Sequence, residues 1–413
     1  MTVTGQLGAV ASVEAIRDRF PALTRVHRGR PVAYFDGPGG TQVPDGVVDA
    51  VSDYLYHHNA NTHWAYPTSV ETDAMLAGAR AAMAEFLSAT PDEIAFGLNM
   101  TTLTFHLARA LGREWSAGDE VVVTELDHHG NLAPWQALAR ERGIVLRSLP
   151  LRVADGTLDL GGLTRVLGPK TRLLAIGAAS NVLGTITDVS AACSMARQAG
   201  ALSFVDAVHA APHMLMDMGA IGCDFLGCSA YKFYGPHVGV LYGRKDRIEA
   251  LDVPRLLPAP DTAPERLETG TQNHEGIVGA GAAVDFLAGL GTGSTRRSRL
   301  ASAYSVLHDR SARLLGMLWE ALSAERKVRL YGPPPTARRT PTLAFTVSGM
   351  DAESAARRLA DRGLFLSHGD FYAPTVLERL GVLESGLVRA GCACYTTEEE
   401  VERLIAGVRS LLR

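Results

Sequence analysis

The stretch from Asp224 to Pro236 reads DFLGCSAYKFYGP and joins an apolar run to a single lysine, Lys232, and a Gly-Pro turn. Lysine is rare in this chain, with four copies against 36 arginines, so its place directly after a buried run stands out. Burial disfavours the charged form of lysine and lowers its pKa toward that of a nucleophilic free amine. The stretch therefore predicts a strand that ends at a Schiff-base lysine, with an ordinary surface lysine at a strand end as the alternative.

A second apolar run, Ala201–His209 (ALSFVDAVH), carries Asp206 at its end, 26 residues before Lys232. Polar side chains of this kind gather at the carboxyl ends of parallel strands. A lysine that binds an aldehyde and a carboxylate that pairs with a pyridine nitrogen are the two groups that pyridoxal phosphate needs from a protein. The alternative role for Asp206 is the N-cap of a following helix.

Composition limits the classes of function. The 413 residues suffice for one large and one smaller domain, and 46% hydrophobic with 20% charged residues is typical of a folded globular protein. A net charge of −4 without a basic cluster argues against binding to nucleic acid. Five cysteines without CxxC spacing indicate neither a disulfide framework nor a zinc site. We expect no signal peptide in Met1–Val13, no membrane span and a cytoplasmic location.

Apolar runs alternate with helical patterns through the first two thirds of the chain, which predicts an α/β fold with a mostly parallel, seven-stranded sheet covered by helices on both faces. The predicted strands of this sheet are Glu93–Phe96, Glu120–Thr124, Val145–Leu149, Arg172–Ile176, Leu202–Val205, Phe225–Cys228 and Val238–Tyr242. A smaller α+β pattern follows, with a strand expected at Leu364–Ser367. The predicted division is an N-terminal arm (1–33) packed on the small domain, a large domain (34–290) and a small C-terminal domain (291–413).

Further polar groups follow other predicted strands. Asn99–Thr102 opens a helix and predicts either a phosphate seat or ordinary capping. In Thr124–Asn131 a histidine could stack on a cofactor ring, bind metal with its neighbours or be an ordinary buried histidine, and adjacent histidines in extended chain point apart, which disfavours metal. Asn181 is either a donor to cofactor or substrate or a turn residue. Arg389 lies in an apolar run and predicts a carboxylate partner, from substrate or from the protein.

Gly37–Gly40 (GPGG) lacks the spacing of a phosphate loop and predicts a tight turn. No GxGxxG follows an early strand, which disfavours a nicotinamide enzyme.

Three blocks carry a resemblance to a known family: His128–Trp135, Ser180–Thr185 and Ser229–Pro236. From about Tyr34 to Leu411 the chain resembles the class V aminotransferase branch of the fold-type I pyridoxal phosphate enzymes, and within it the group II cysteine desulfurases and selenocysteine lyases. The resemblance implies a fold-type I architecture, a homodimer and an amino-acid substrate.

It also implies residue roles. Lys232 holds the cofactor aldehyde and later shuttles the Cα proton, Asp206 pairs with the ring nitrogen, and His128 stacks on the ring. The implied contacts to phosphate come from Thr101, Thr102, Ser229 and, across the dimer, Thr271. Asn181 and Arg389 hold the substrate carboxylate. His209 and Tyr231 stand where these desulfurases usually have a glutamine that faces the ring hydroxyl and a histidine before the lysine.

The chain departs from the resemblance in one loop. Group II desulfurases carry a nucleophilic cysteine there, and the matching stretch Ser367–Pro374 (SHGDFYAP) has none, with Phe371 or Tyr372 in its place. A persulfide mechanism needs that thiolate. We therefore expect a C–S lyase that eliminates sulfur from cysteine or an S-substituted cysteine. The alternatives are an aminotransferase or epimerase of another amino acid, and a catalytically inactive binding protein.

Overall fold

The computed structural model describes residues 10–413, so residues 1–9 of the predicted N-terminal arm lie outside the described part. The strands are β1 (Val26–His27), β2 (Arg30–Pro31), β3 (Ala33–Tyr34), β4 (Ile94–Gly97), β5 (Glu120–Thr124), β6 (Val145–Leu149), β7 (Leu151–Arg152), β8 (Thr157–Leu158), β9 (Thr171–Gly177), β10 (Leu202–Asp206), β11 (Phe225–Ser229), β12 (Gly239–Gly243), β13 (Val328–Tyr331), β14 (Thr342–Val347), β15 (Leu364–Phe365), β16 (Ser367–Gly369) and β17 (Leu387–Gly391).

The α-helices are α1 (Val13–Arg17), α2 (Asp45–Asp53), α3 (Pro67–Leu87), α4 (Met100–Gly112), α5 (Ala133–Arg142), α6 (Leu163–Val166), α7 (Val189–Gln198), α8 (Met218–Ile221), α9 (Lys245–Ala250), α10 (His274–Gly289), α11 (Arg296–Ser323), α12 (Ala352–Ala360), α13 (Pro374–Leu380) and α14 (Glu398–Leu411). Within residues 10–413, none of the helices is both long and apolar enough to cross a lipid bilayer.

The large sheet has seven strands within the described residues, in the order β4-β12-β11-β10-β9-β5-β6. Strand β12 runs antiparallel to both its neighbours, and the other pairs are parallel. The mostly parallel α/β sheet predicted from the apolar runs is thus confirmed. All strands except β12 point their carboxyl ends toward the same edge, where loops bring polar side chains together.

Successive residues of the sheet strands enter two different hydrophobic cores. Val122 packs on one face, with α3, α7 and α10, whereas Val121 and Val123 pack on the other face, with α4 and α5. Side chains alternate across a strand, so a strand with apolar residues at every position has to be buried on both faces. Helices on both sides of the sheet follow from this pattern.

A second sheet, β13-β14-β17-β16, is antiparallel throughout and packs on α11, α12 and α14. The single strand expected at Leu364–Ser367 is divided between two sheets: β15 pairs in parallel with β3, and β16 pairs with β17. The division arises because the N-terminal segment supplies a partner for β15 that local sequence does not reveal.

The N-terminal segment contacts residues from the middle and from the C-terminal part of the chain. Arg17 forms an ion pair of 3.0 Å with Glu400 of α14, and Phe20 packs edge-on against Tyr234, Phe286 and Tyr395. The aromatic partners of Phe20 lie on both sides of the predicted boundary at residue 290. The predicted domain limits therefore stay a prediction.

Candidate active site

A cavity of about 980 Å³ opens where the parallel strands of the large sheet end. The segment Ser367–Tyr372, which contains β16, and Arg389 of β17 form the wall on the side of the second sheet. The predicted site residues that line it are Thr101, Thr102, His128, Asn181, Asp206, His209, Ser229, Tyr231, Lys232, Phe371, Tyr372 and Arg389. Thr271 does not line it and lies exposed on the surface. The fold thus brings together residues that are up to 288 positions apart in the sequence.

Lys232 ends a short 3₁₀ turn directly after β11. Its Nζ donates hydrogen bonds to the carbonyl oxygens of Pro38, at 2.6 Å, and of Gly39, at 2.9 Å. Burial lowers the pKa of Lys232 to about 7, with the Arg389 cation lowering it further and the Asp206 carboxylate opposing the shift. The sequence prediction of a lysine with a depressed pKa thus agrees with its surroundings, and its amine is available as a nucleophile or base near neutral pH.

Asp206 is the last residue of β10, and only 6% of it is exposed. Its Oδ1 accepts a hydrogen bond of 2.9 Å from the backbone N–H of Val208. Burial raises the pKa of Asp206 to about 6, and the Val208 amide and Lys232 oppose the shift. A buried carboxylate at the floor of the cavity is suited to accept a hydrogen bond from a protonated ring nitrogen.

A second buried carboxylate, Asp127, also lines the cavity and was not predicted as a site residue. It accepts hydrogen bonds from the backbone N–H and hydroxyl of Thr124 and from the Asn131 amide. Burial raises the pKa of Asp127 to about 7, despite the Thr124 bonds, and the Asp206 charge raises it further. A Cβ added to Gly177 would lie only 2.9 Å from Asp127 Oδ1, so the glycine leaves room for this carboxylate. Gly177 is also the strand partner of Asp206.

His128 follows β5, and its ring faces the cavity. Its Nδ1 accepts a hydrogen bond of 2.9 Å from the N–H of Gly130, which leaves the ring hydrogen on Nε2. Burial lowers the pKa of His128 to about 4, with Lys232 and Arg389 lowering it further. A neutral ring in this place is suited to stack on an aromatic cofactor. Within residues 10–413, no group of three or more metal-ligating side chains is placed to hold a metal ion.

The N-terminus of α4 borders the cavity, and its first residues were predicted as either a phosphate seat or ordinary capping. Asn99 caps the helix by accepting from the Thr102 N–H at 2.9 Å, and the Thr102 hydroxyl donates to the Asn99 carbonyl. The Met100 N–H donates to the Ser229 hydroxyl at 3.0 Å. The Thr102 and Ser229 hydroxyls thus already have partners within the protein. Among residues 10–413 no group accepts from the Thr101 backbone N–H or hydroxyl, and these two donors can bind an anion at this positive helix end.

Arg389 lies at the centre of β17, and only 4% of it is exposed. Its Nη1 donates to the Asn181 carbonyl at 2.8 Å, and no carboxylate among residues 10–413 lies within ion-pair distance of it. The Phe371 ring covers the guanidinium, with 4.1 Å between the ring centroid and Cζ. Burial lowers the pKa of Arg389 to about 9, opposed by Asp36. A buried cation without a carboxylate partner, at the wall of a cavity, is suited to bind the carboxylate of a ligand.

The loop after β16 carries the two aromatic residues of the cavity wall. Phe371 and Tyr372 both have left-handed backbone conformations, with φ of 55° and 57°. Residues with a Cβ adopt this conformation only at a cost in conformational free energy. Two hydrogen bonds hold them: Asn181 Nδ2 donates to the Phe371 carbonyl at 2.9 Å, and the His129 N–H donates to the Tyr372 carbonyl at 2.6 Å. All five cysteines are buried elsewhere, and none lines the cavity.

His209 and Tyr231 also contact side chains that the sequence did not indicate. His209 Nε2 lies 3.1 and 3.0 Å from the hydroxyls of Thr340 and Thr342, and burial holds the pKa of His209 well below its usual value. The Tyr231 ring stacks on His237, with centroids 4.8 Å apart and planes 14° apart. His237 lines the cavity, and its place directly after the Gly-Pro turn carried no local signal.

Comparison with known proteins places this geometry in a family. Residues 33–404 match the family model described as aminotransferase class-V. The chain belongs to this family. Curated relatives include two proteins named cysteine desulfurase. The one from Pectobacterium atrosepticum is 33% identical over 97% of this chain and 98% of the relative, and the one from Klebsiella pneumoniae strain 342 is 34% identical with the same shares of the two chains.

Solved structures of cysteine desulfurases have the same fold. The cysteine desulfurase CsdA from Escherichia coli superposes with a TM-score of 0.85 at 28% identity, covering 98% of this chain and 99% of its own. A cysteine desulfurase from Thermococcus onnurineus NA1 superposes with a TM-score of 0.88 at 28% identity, with the same coverage of both chains. The fold-type I architecture implied by the resemblance is confirmed.

The chain is a pyridoxal phosphate-dependent enzyme of class V, and its cavity fits that cofactor. Lys232 supplies an amine with a depressed pKa, and Asp206 supplies a buried carboxylate. Thr101 supplies unused donors at the end of a 13-residue helix, and the neutral His128 ring borders the same space. The amine and the ring-nitrogen partner are the two groups that this cofactor needs, and the helix N-terminus and the neutral ring suit its phosphate and its aromatic face.

Proposed function

We propose that this enzyme is a C–S lyase that removes sulfur from cysteine or an S-substituted cysteine without an enzyme thiol as acceptor. The observation that carries the proposal is the wall of the cavity opposite Lys232, where Phe371 and Tyr372 stand in the loop over Arg389 and no cysteine is present. The balanced reaction takes a cysteine S-conjugate and water to a thiol, pyruvate and ammonium. The names of the relatives support sulfur chemistry on cysteine.

When bound, the cofactor supplies an electron sink for the electron pair left at Cα. The residues of the chain do the rest. Arg389 and the Asn181 amide bind the substrate carboxylate, and this contact fixes the direction of the Cα–H bond. Lys232 Nζ accepts the Cα proton, a task for which a pKa of about 7 is suited at neutral pH. Asp206 would hold a proton on the ring nitrogen of the bound cofactor, and His128 would cover its ring.

Phe371 and Tyr372 shape the space for the sulfur substituent. The Phe371 ring holds the Arg389 guanidinium from one face, and Tyr372, which is 73% exposed, stands beside His128 at the mouth of the cavity. The leaving thiolate departs toward this mouth, takes up a proton and diffuses away. The cavity thus performs elimination with aromatic walls in the place where a sulfur-accepting thiolate would stand.

We extend the proposal to assembly and location. Thr271 is exposed and outside the cavity, which supports a homodimer in which it reaches the phosphate in the neighbouring subunit. The proposed division is an arm up to residue 33, a large domain of residues 34–290 and a small domain of residues 291–413. The five cysteines are free thiols, which supports the cytoplasm as the compartment.

The test is an absorption spectrum of the purified protein, followed by the addition of L-cysteine, S-methyl-L-cysteine and L-alanine in turn. We expect a visible band of lysine-bound cofactor, and release of pyruvate with an equal amount of sulfide from L-cysteine and of methanethiol from S-methyl-L-cysteine. Loss of the band with alanine, together with formation of a keto acid, would show an aminotransferase instead. Lys232→Ala is the matched control, in which the lysine-linked band is absent.

A further inference from the structure

The turn that follows β3 contacts the site lysine directly. Gly39 N–H donates to the Asp36 carbonyl at 2.7 Å, which closes the turn and leaves the carbonyl oxygens of Pro38 and Gly39 pointing at Lys232 Nζ. The turn was predicted from its Gly-Pro-Gly-Gly sequence, but its place in the cavity was not. It is 193 residues away from Lys232 along the chain, so only the fold brings the two together.

Three hydrogen bonds and one packing contact fix the position of this turn. The Thr41 N–H and hydroxyl both donate to the Tyr231 carbonyl, at 3.1 and 3.2 Å, and the Thr41 hydroxyl accepts from the Tyr234 N–H at 2.8 Å. On the other side Pro38 packs on Gly391, so closely that a Cβ there would lie 2.3 Å from the proline ring. The turn is thus held between the lysine segment and the end of β17.

The side chain of Tyr231 completes the surroundings of the amine. Lys232 Nζ lies 4.9 Å from the centroid of the Tyr231 ring, and that ring is held on its other side by His237. Gly40 permits this arrangement, because a Cβ at this position would come within 3.3 Å of the ring. The charged and titratable groups that share the space are Arg389, Asp206 and His128.

We propose that the Pro38–Gly39 turn is a docking site for the free amine of Lys232. The two carbonyl oxygens of the turn accept hydrogen bonds from two N–H groups of the amine, and the remaining lone pair or N–H of the nitrogen then points into the cavity. A neutral amine docked in this way presents its lone pair to the substrate, and an ammonium presents its remaining N–H. The same nitrogen therefore accepts and returns a proton at one fixed point. Asp36, Thr41 and Gly391 act as positioning residues for it.

This inference rests on the proposed role of Lys232 in holding the cofactor, and it concerns the moments when the amine is released. A substrate amine that displaces Lys232 leaves the lysine free, and the docking site stabilises that released form. Weakening the docking site therefore shifts the displacement equilibrium back toward lysine-bound cofactor. The affinity of the protein for the cofactor itself is not expected to fall.

The experiment uses the holoenzyme with glycine, an amino acid that displaces the lysine and has no β-substituent to lose. The displacement constant is read from the visible absorption spectrum for the wild type, Thr41→Val and Thr41→Ser. Thr41→Val removes the hydroxyl bonds to Tyr231 and Tyr234 that hold the turn, so we expect the turn to shift and one of its two hydrogen bonds to Lys232 Nζ to be lost, which weakens displacement roughly tenfold. Thr41→Ser keeps the hydroxyl and should lie within about twofold of the wild type, a rescue that a general loss of packing would not give.

Gly40→Ala is the second variant, in case Thr41→Val does not fold. Its Cβ presses on the Tyr231 ring and moves the turn, and we expect the same direction of change. Equal displacement constants in the wild type and in each folded variant would overturn the docking site while leaving the function proposed above intact. A holoenzyme spectrum without any lysine-linked band would overturn both.

Discussion

Lys232 lies between two charges of opposite sign, and this balance has a measurable consequence. Burial and Arg389 lower the pKa of its amine, Asp206 raises it, and the result is about 7. The deprotonated amine attacks the cofactor aldehyde, so the rate at which cofactor-free protein regains its visible band should rise with pH and level off above about 7. Ordinary exposed lysine would give a rise that continues toward pH 10.

The charge neighbours provide matched controls for this pH profile. Arg389→Leu removes a repelling cation, so the midpoint of the profile should move to higher pH. Asp206→Asn removes an attracting anion, so the midpoint should move to lower pH. A midpoint that stays in place in both variants would show that these two charges do not set the pKa of the lysine.

At the scale of single residues, the sequence predicted those that end a recognisable strand. Lys232, Asp206 and His128 each follow an apolar run, so local pattern was enough to single them out. Asp127 and His237 were missed because contacts made only in the folded chain place them in the cavity. Asp127 packs against Gly177, and His237 stacks on the Tyr231 ring. Local sequence does not show which side chain a ring stacks on.

At the scale of elements, the N-terminus of α4 combines capping and ligand binding in adjacent residues, and the two can be separated. Thr101→Val removes a hydroxyl for which the fold shows no partner within residues 10–413, so the free energy of unfolding of cofactor-free protein should stay within about 0.5 kcal/mol of the wild type. Its cofactor affinity should fall, because a phosphate donor is lost. Chemical denaturation and cofactor titration measure the two quantities.

Asn99→Ala is the contrasting variant. It removes the acceptor of the Thr102 N–H, so it should lower the free energy of unfolding by about 1 kcal/mol and weaken cofactor binding as well. Asn99→Asp retains the cap and should restore the stability. If Thr101→Val destabilises the cofactor-free protein as much as Asn99→Ala does, the Thr101 hydroxyl serves the fold and not the phosphate.

Strand positions were predictable where an apolar run is bounded by polar or turn residues. The strands expected at Glu120–Thr124 and Val145–Leu149 match β5 and β6. The strand expected at Leu364–Ser367 was wrong as a single element, because its two halves pair with β3 and β17. The tight turn at Gly37–Gly40 was predicted correctly, whereas its hydrogen bonds to Lys232 depend on how the whole chain packs.

At the scale of the whole molecule, the proposed dimer predicts a role for a residue that is remote from its own cavity. Thr271→Ala should lower cofactor affinity severalfold, because the hydroxyl would contact phosphate across the interface. Thr269→Ala, two residues earlier on the same exposed segment, is the control and should leave the affinity unchanged. Sedimentation of the wild type should give twice the mass of one chain; a monomer that binds cofactor normally would contradict this arrangement.

The burial of all five cysteines has a consequence beyond catalysis. Burial raises the pKa of the Cys193 thiol to about 11 and those of Cys392 and Cys394 to about 12, so almost no thiolate exists near neutral pH. Alkylating electrophiles and peroxides attack the thiolate, and they find no exposed target here. An enzyme that removed sulfur with this cavity would keep working during oxidative stress, when a catalytic cysteine would be capped or oxidised.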